Sequence, residues 1–144
     1  MYKLLILDDE ILFRQYAKTV LNWRELGFEV YEAGNGVTGL EIVEKSGIDL
    51  VLADINMPVM DGIEFGKRAK EIKEDISIVI VSGYGEFEFA KKAIQIGVSD
   101  YILKPFTKDE IKNVVMKLKE SLDDKRGIVK EEGLGKQRLL AKKV

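Results

Sequence analysis

Three aspartates, a serine and a lysine each stand directly behind a short apolar run. Asp8 and Asp9 follow Lys3–Leu7, Asp54 follows Asp49–Ala53, Ser82 follows Ser77–Val81 and Lys104 follows Asp100–Leu103. Carboxylates, a hydroxyl and an ammonium are the groups that hold a hard divalent cation and neutralise a phosphoryl group in transfer. The chain has no histidine and no cysteine. A histidine base, a His or Cys metal ligand and a phospho-histidine of its own are therefore excluded. Taken singly, each residue has an ordinary reading: Asp8-Asp9 as a helix cap, Asp54 as a loop residue, Ser82 and Lys104 as surface groups. Taken together they mark a site, because open α/β sheets bind ligands outside the carboxyl ends of their strands. Three acids crowded at one edge repel one another, and a cation with oxygen ligands relieves them; for a phosphoryl site that cation is Mg²⁺. Lys104 then offers a point charge, Ser82 a hydroxyl donor, and Asp54 a nucleophile.

The elements that must carry these residues are legible in the apolar pattern. With Phe28–Glu32, five short runs rich in Ile, Val and Leu alternate with stretches of helical period, the signature of βα units around a parallel sheet. Runs one, three and four are almost continuously apolar, as in strands covered on both faces; the second alternates and is expected at an edge. Helical stripes are read at Leu12, Phe13, Tyr16, Ala17, Val20 and Leu21; at Val37, Leu40 and Val43; at Ile63, Gly66, Ala69 and Ile72; and at Phe87, Ala90, Ala93 and Ile94. The fifth stripe, Ile111, Val114, Val115, Leu118 and Leu122, is preceded by Thr107 and Glu110 at capping-box spacing. Gly47 and Gly97 stand where left-handed helix ends are wanted. Right-handed crossovers favour an α/β, flavodoxin-like (βα)5 doubly wound parallel sheet with strand order 2-1-3-4-5.

These residues carry a resemblance. Asp8-Asp9-Glu10, Asp54-Ile-Asn-Met-Pro58 with Asp61-Gly62, Ser82-Gly83 and Tyr101-Ile-Leu-Lys104-Pro105-Phe106 together are similar to the signature of receiver domains of bacterial two-component response regulators, over about residues 2–123. The resemblance implies that Asp54 is the phospho-acceptor and that Asp8, Asp9, Asp54 and the backbone carbonyl of Asn56 hold Mg²⁺. It implies that Lys104, ahead of a cis Lys104-Pro105 bond, and Ser82 contact the phosphoryl group, and that Tyr101 is the aromatic switch coupled to the hydroxyl. The fourth helix, fifth strand and fifth helix would then form the surface for dimerisation or output. The implied partner is a sensor histidine kinase, and homodimerisation on phosphorylation is expected. Such a domain is no enzyme beyond its own phosphoryl transfer and dephosphorylation. The segment from Ser82 to Ile94 is similar to receivers fused to arabinose-regulator (AraC) type DNA-binding domains, so DNA would be met only through an output domain outside these 144 residues.

Composition agrees with a single globular domain: 46% hydrophobic and 33% charged residues, with a formal net charge of −2. No apolar stretch approaches the ~20 residues that span a bilayer, and no signal-peptide pattern follows Met1, so a cytoplasmic protein with no membrane partner is expected. Residues 124–144, basic and punctuated by Gly127, Gly133 and Gly135, read as a linker or tail behind a receiver at 1–123, with nucleic-acid contact the alternative. Met57 and Met60 read as loop packing, and one of Phe87 and Phe89 as an exposed aromatic. Two rivals use similar parts. A haloacid-dehalogenase-like phosphohydrolase would place its nucleophile after the first strand and an acid two residues on, where Asn56 stands here. A flavin-binding module would need a Ser/Thr-rich phosphate loop after strand one.

Overall fold

The computed structural model describes residues 1–83, 92, 95 and 97–127. The described elements are β1 (Tyr2–Leu7), α1 (Ile11–Thr19), β2 (Phe28–Ala33), α2 (Gly36–Ser46), β3 (Leu50–Asp54), α3 (Gly62–Ile72), β4 (Ser77–Ser82), β5 (Asp100–Leu103) and α4 (Lys108–Lys125). The strands form one sheet in the order β2-β1-β3-β4-β5, every neighbouring pair parallel. This is the doubly wound topology expected from the sequence.

Alternation along the strands splits the core in two. Leu4, Ile6, Leu50, Leu52, Val79 and Val81 face Ala17 and Leu21, at and just beyond the end of α1, and Ile111, Val115, Leu118 and Leu122 of α4. Leu5, Leu7, Val51, Ala53, Ile78 and Ile80 face Val43 of α2 and Ile63, Phe65 and Ala69 of α3. β3 and β4 are buried along their whole length, whereas β2 at the edge buries only its two ends.

The helices start where their caps dictate. Asn35 accepts from Thr38 N–H, Asp61 from Glu64 N–H, and Thr107 and Glu110 close a reciprocal capping box. Gly47 ends α2 at φ 66°, a conformation that costs a side-chain-bearing residue about 1 kcal/mol or more.

Four of the stripe residues do not join the core. Leu12 (76% exposed), Val37 (53%), Tyr16 and Ile72 (both 41%) face outward, because a helix on a sheet buries an arc narrower than the i, i+3, i+4 pattern admits. Conversely Phe65, absent from the predicted stripe, is fully buried. Met57 and Met60 are buried as loop packing. α4 continues past Asp123 to Lys125, and Arg126 pairs with Asp49 at 2.6 Å; polar contacts hold the helix end where its apolar period has faded. The predicted fourth stripe, Phe87 and Phe89, and residues 128–144 lie outside the described residues. Among the described residues no helix is long and apolar enough to cross a membrane.

Candidate functional site

The carboxyl edge of the sheet is built by extending the strand ladders a residue past the strand ends. Asp8 N–H donates to Ala33 O at 3.1 Å, Ile55 N–H to Val81 O at 2.9 Å and Lys104 N–H to Ser82 O at 2.7 Å. These bonds fix the backbones from which Asp8, Asp54, Ser82 and Lys104 project. Behind Asp54 the chain turns back on itself: Gly62 N–H donates to Ile55 O at 3.0 Å. A Cβ on Gly62 would stand 2.5 Å from the Asp54 carbonyl oxygen, so only glycine fits. Within the same loop Val59, wholly solvent-exposed, is held at φ 70° while Met60 N–H closes on Pro58 O at 2.7 Å. A β-branched residue in that region is a strained γ-turn.

The structure brings Asp8, Asp9 and Asp54 together, with one carboxylate oxygen of each lying within 4.8 Å of the others. Asp8 and Asp54 are buried and Asp9 is exposed. Lys104 Nζ stands 2.7 Å from Asp8 Oδ2, 3.3 Å from Glu10 Oε1 and 3.6 Å from Asp54 Oδ1. One ammonium thus balances several carboxylates. Burial first, and the Asp8 charge second, push the Asp54 carboxyl up to about 6; Lys104 and the Asn56 N–H pull it partly back. Asp8 is likewise raised by burial, against the pull of Lys104 and of the Glu10 N–H that it accepts at 2.8 Å. Burial alone would lower Lys104, but Asp8 and Asp54 outweigh it and raise its pKa.

The Ser82 hydroxyl, 1% exposed, has no hydrogen-bond partner among the described residues. A buried hydroxyl without a partner costs about 1–3 kcal/mol, so Ser82 Oγ is a donor with bonding capacity to spare toward the described residues around it. The donor set, oxygen only and over-negative, fits a hard divalent cation. Asn56 is exposed, and its N–H bonds the Asp54 carboxylate. Tyr101 lies in β5 opposite Ile80, 37% exposed. Lys104-Pro105 is cis, as the resemblance implied.

Two residues here carried no assigned role in the sequence. Glu10 is the third acid of its run and pairs with Lys104; its place beside Asp8-Asp9 was the only available signal. Phe13, read simply as part of a core stripe, lies beneath the ammonium with its ring centroid 4.2 Å from Lys104 Nζ.

Residues 4–116 match the response regulator receiver domain family. Sporulation initiation phosphotransferase F of Bacillus subtilis (strain 168) is 40% identical over 115 residues, which are 80% of this chain and 91% of that protein. The uncharacterized transcriptional regulatory protein YesN of the same organism is 35% identical over 112 residues, 77% of this chain but only 30% of the relative. Among solved structures, the receiver domain of AraT, a response regulator from Geobacillus stearothermophilus, superposes with a TM-score of 0.83 at 36% identity, covering 87% of this chain and 98% of that one. With its acids, lysine and hydroxyl gathered at the carboxyl edge of a 2-1-3-4-5 sheet, this chain belongs to the response regulator receiver domain family of two-component signalling.

Proposed function

We propose that Asp54 accepts a phosphoryl group from a phospho-histidine of a sensor kinase. The observation that carries this is the convergence of Asp8, Asp9, Asp54 and Lys104 at the strand edge that also carries Ser82, whose buried hydroxyl has no hydrogen-bond partner among the described residues. Asp54 Oδ attacks phosphorus in line; an O–P bond forms as the P–N bond breaks, and the leaving imidazole keeps the electron pair. Asp8, Asp9, Asp54 and the Asn56 carbonyl would hold Mg²⁺, which when bound supplies positive charge against the transferring oxygens. Lys104, which pairs with Asp8 at 2.7 Å, would neutralise a second face of the phosphoryl group. Ser82 donates its hydroxyl to a phosphoryl oxygen, a charge-assisted bond.

In this reading the chain turns over no separate substrate. Movement of Ser82 toward the phosphoryl group lets Tyr101 turn inward, and the segment before β5, β5 itself and α4 become a surface for homodimerisation or output. The receiver expected at 1–123 runs on to the end of α4 at Lys125, and the linker or tail expected at 124–144 begins after that helix. The name of the relative YesN supports transcription as the output, through a DNA-binding domain beyond the receiver in a cytoplasmic protein.

The test is the intact mass of the protein after incubation with Mg²⁺ and acetyl phosphate. Gain of one phosphoryl group by the wild type and none by Asp54→Asn is expected. Equal gain by both, or steady hydrolysis of a small phosphate ester faster than the protein loses its own phosphoryl group, would overturn the reading.

A further inference from the structure

Lys104 is held on three sides by carboxylates and on the fourth by an aromatic face. Its Nζ stands 4.2 Å from the centroid of the Phe13 ring, well inside the ~6 Å over which a ring quadrupole attracts a cation. Phe13 does not hang free. Its ring meets Phe106 edge-on, with centroids 5.6 Å apart and planes at 86°. Tyr16, one turn further along α1, lies against Phe106 with centroids 5.6 Å apart and planes tilted by 44°, and donates its hydroxyl to the Phe106 carbonyl at 2.6 Å. Phe106 lies two residues past Lys104, so the segment that carries the lysine is fastened to α1 by the same rings that support its ammonium.

The two kinds of neighbour act differently on a lysine that must move. Asp8 and Glu10 hold the ammonium through directional contacts of opposite charge, and those compete with any incoming phosphoryl group. A ring face attracts without directional bonds, carries no net charge and keeps water off one side, which strengthens the ammonium's pull on an anion. We infer that Phe13 is a positioning residue for Lys104: its ring face holds the ammonium at the edge of the acid cluster while leaving it free to pivot from Asp8 to the phosphoryl group. This rests on the reading of Asp54 as phospho-acceptor and adds to it a residue of α1 that touches neither metal nor phosphoryl group.

Phe13→Leu keeps an apolar side chain and removes the ring face; Phe13→Tyr keeps the face. Two readouts separate positioning from mere packing. The first is the proton spectrum of Lys104 in the metal-free protein. A ring at this distance shifts the ε-methylene resonances upfield in the wild type, and the shift is expected to vanish in Phe13→Leu and return in Phe13→Tyr. The second is the rate of phosphoryl gain from acetyl phosphate with Mg²⁺. Loss of a cation–π contact to a partly buried ammonium should slow Phe13→Leu about five- to tenfold, with the rate restored in Phe13→Tyr. Mg²⁺ affinity by calorimetry should stay within about twofold of wild type in both variants, because a ring face attracts the ammonium and not the carboxylates. A folded Phe13→Leu that is phosphorylated at the wild-type rate overturns the inference and leaves the Asp54 reading intact. If the wild type gains no phosphoryl group, the Asp54 reading fails by itself, and unchanged ε-methylene shifts in Phe13→Leu then overturn the positioning as well. Should Phe13→Leu not fold, Phe13→Tyr decides: loss of the upfield shift in a folded ring-bearing variant overturns it.

Discussion

Strand β3 has a buried aspartate at each end, and the two have opposite fates. Asp49, just ahead of the strand, accepts from Lys3 N–H at 2.8 Å and pairs with Lys73 at 3.0 Å and Arg126 at 2.6 Å. Burial tends to raise its pKa, but these partners prevail and hold the carboxyl below the usual range. Asp54, at the other end, is as deeply buried yet is pushed up to about 6, with Asp8 repelling it and a single lysine shared among the acids. A little further along the amino edge, Tyr2 donates to Asp123 at 2.5 Å, and its hydroxyl is raised to about 12, by burial first and then by that bond. One edge satisfies its charges and so stabilises the fold. The other leaves charge uncompensated, and the proposed phosphoryl transfer is sited there.

The sharpest way to break this contrast is to remove Asp49. Asp49→Ala should destabilise the protein by about 2–3 kcal/mol in urea denaturation at pH 7, since the Lys3 amide and two cations lose their partner. A loss under about 0.5 kcal/mol would mean that the amino edge is no more satisfied than an ordinary surface. Because the folded pKa of Asp49 is depressed, its contribution is fully present above the unfolded value and fades as pH falls through the folded one.

Asp54→Asn should act in the opposite direction. The folded pKa of Asp54 is raised, so its ionised form weakens the fold above pH 6, and the penalty fades as pH falls toward the unfolded value. The substitution is expected to stabilise by about 2 kcal/mol at pH 8 and by little near pH 4. Stabilisation independent of pH would sink the electrostatic account. Mg²⁺ sharpens the same point: at tenfold excess over its Kd it should stabilise the wild type by about 1.4 kcal/mol, and Asp9→Asn much less. An equal thermal shift in both would move the cation elsewhere. The smallest effect is expected from Tyr2→Phe, about 1 kcal/mol through the lost bond to Asp123, read from the denaturation midpoint.

The two edges also differed in how far the sequence disclosed them. Asp54 and Ser82 could be placed because β3 and β4 are nearly continuous apolar runs whose ends are sharp, Lys104 because it follows the short run Tyr101-Ile-Leu, and a parallel sheet sends all those ends to one side. The Asp49–Arg126 and Tyr2–Asp123 pairs join residues 77 and 121 positions apart and follow no period, so nothing local announced them. The same limit let Leu12 pass for core: at helical spacing it fits the stripe as well as Phe13 does, and only the packed sheet separates the two. Phe13 was placed on the right face, but its second neighbour, an ammonium from 91 residues away, becomes visible only in three dimensions.

The docking of Arg126 on Asp49 also sets the molecule's leverage. α4 begins beside the Lys104 segment and ends at the opposite pole, a span of roughly 27 Å for 18 residues at 1.5 Å each. Whatever the chain does after residue 127 starts from that far pole. A small displacement of α4 beside Lys104, such as the proposed phosphorylation of Asp54 would produce, would be carried along a rigid rod and become a change of heading at Arg126.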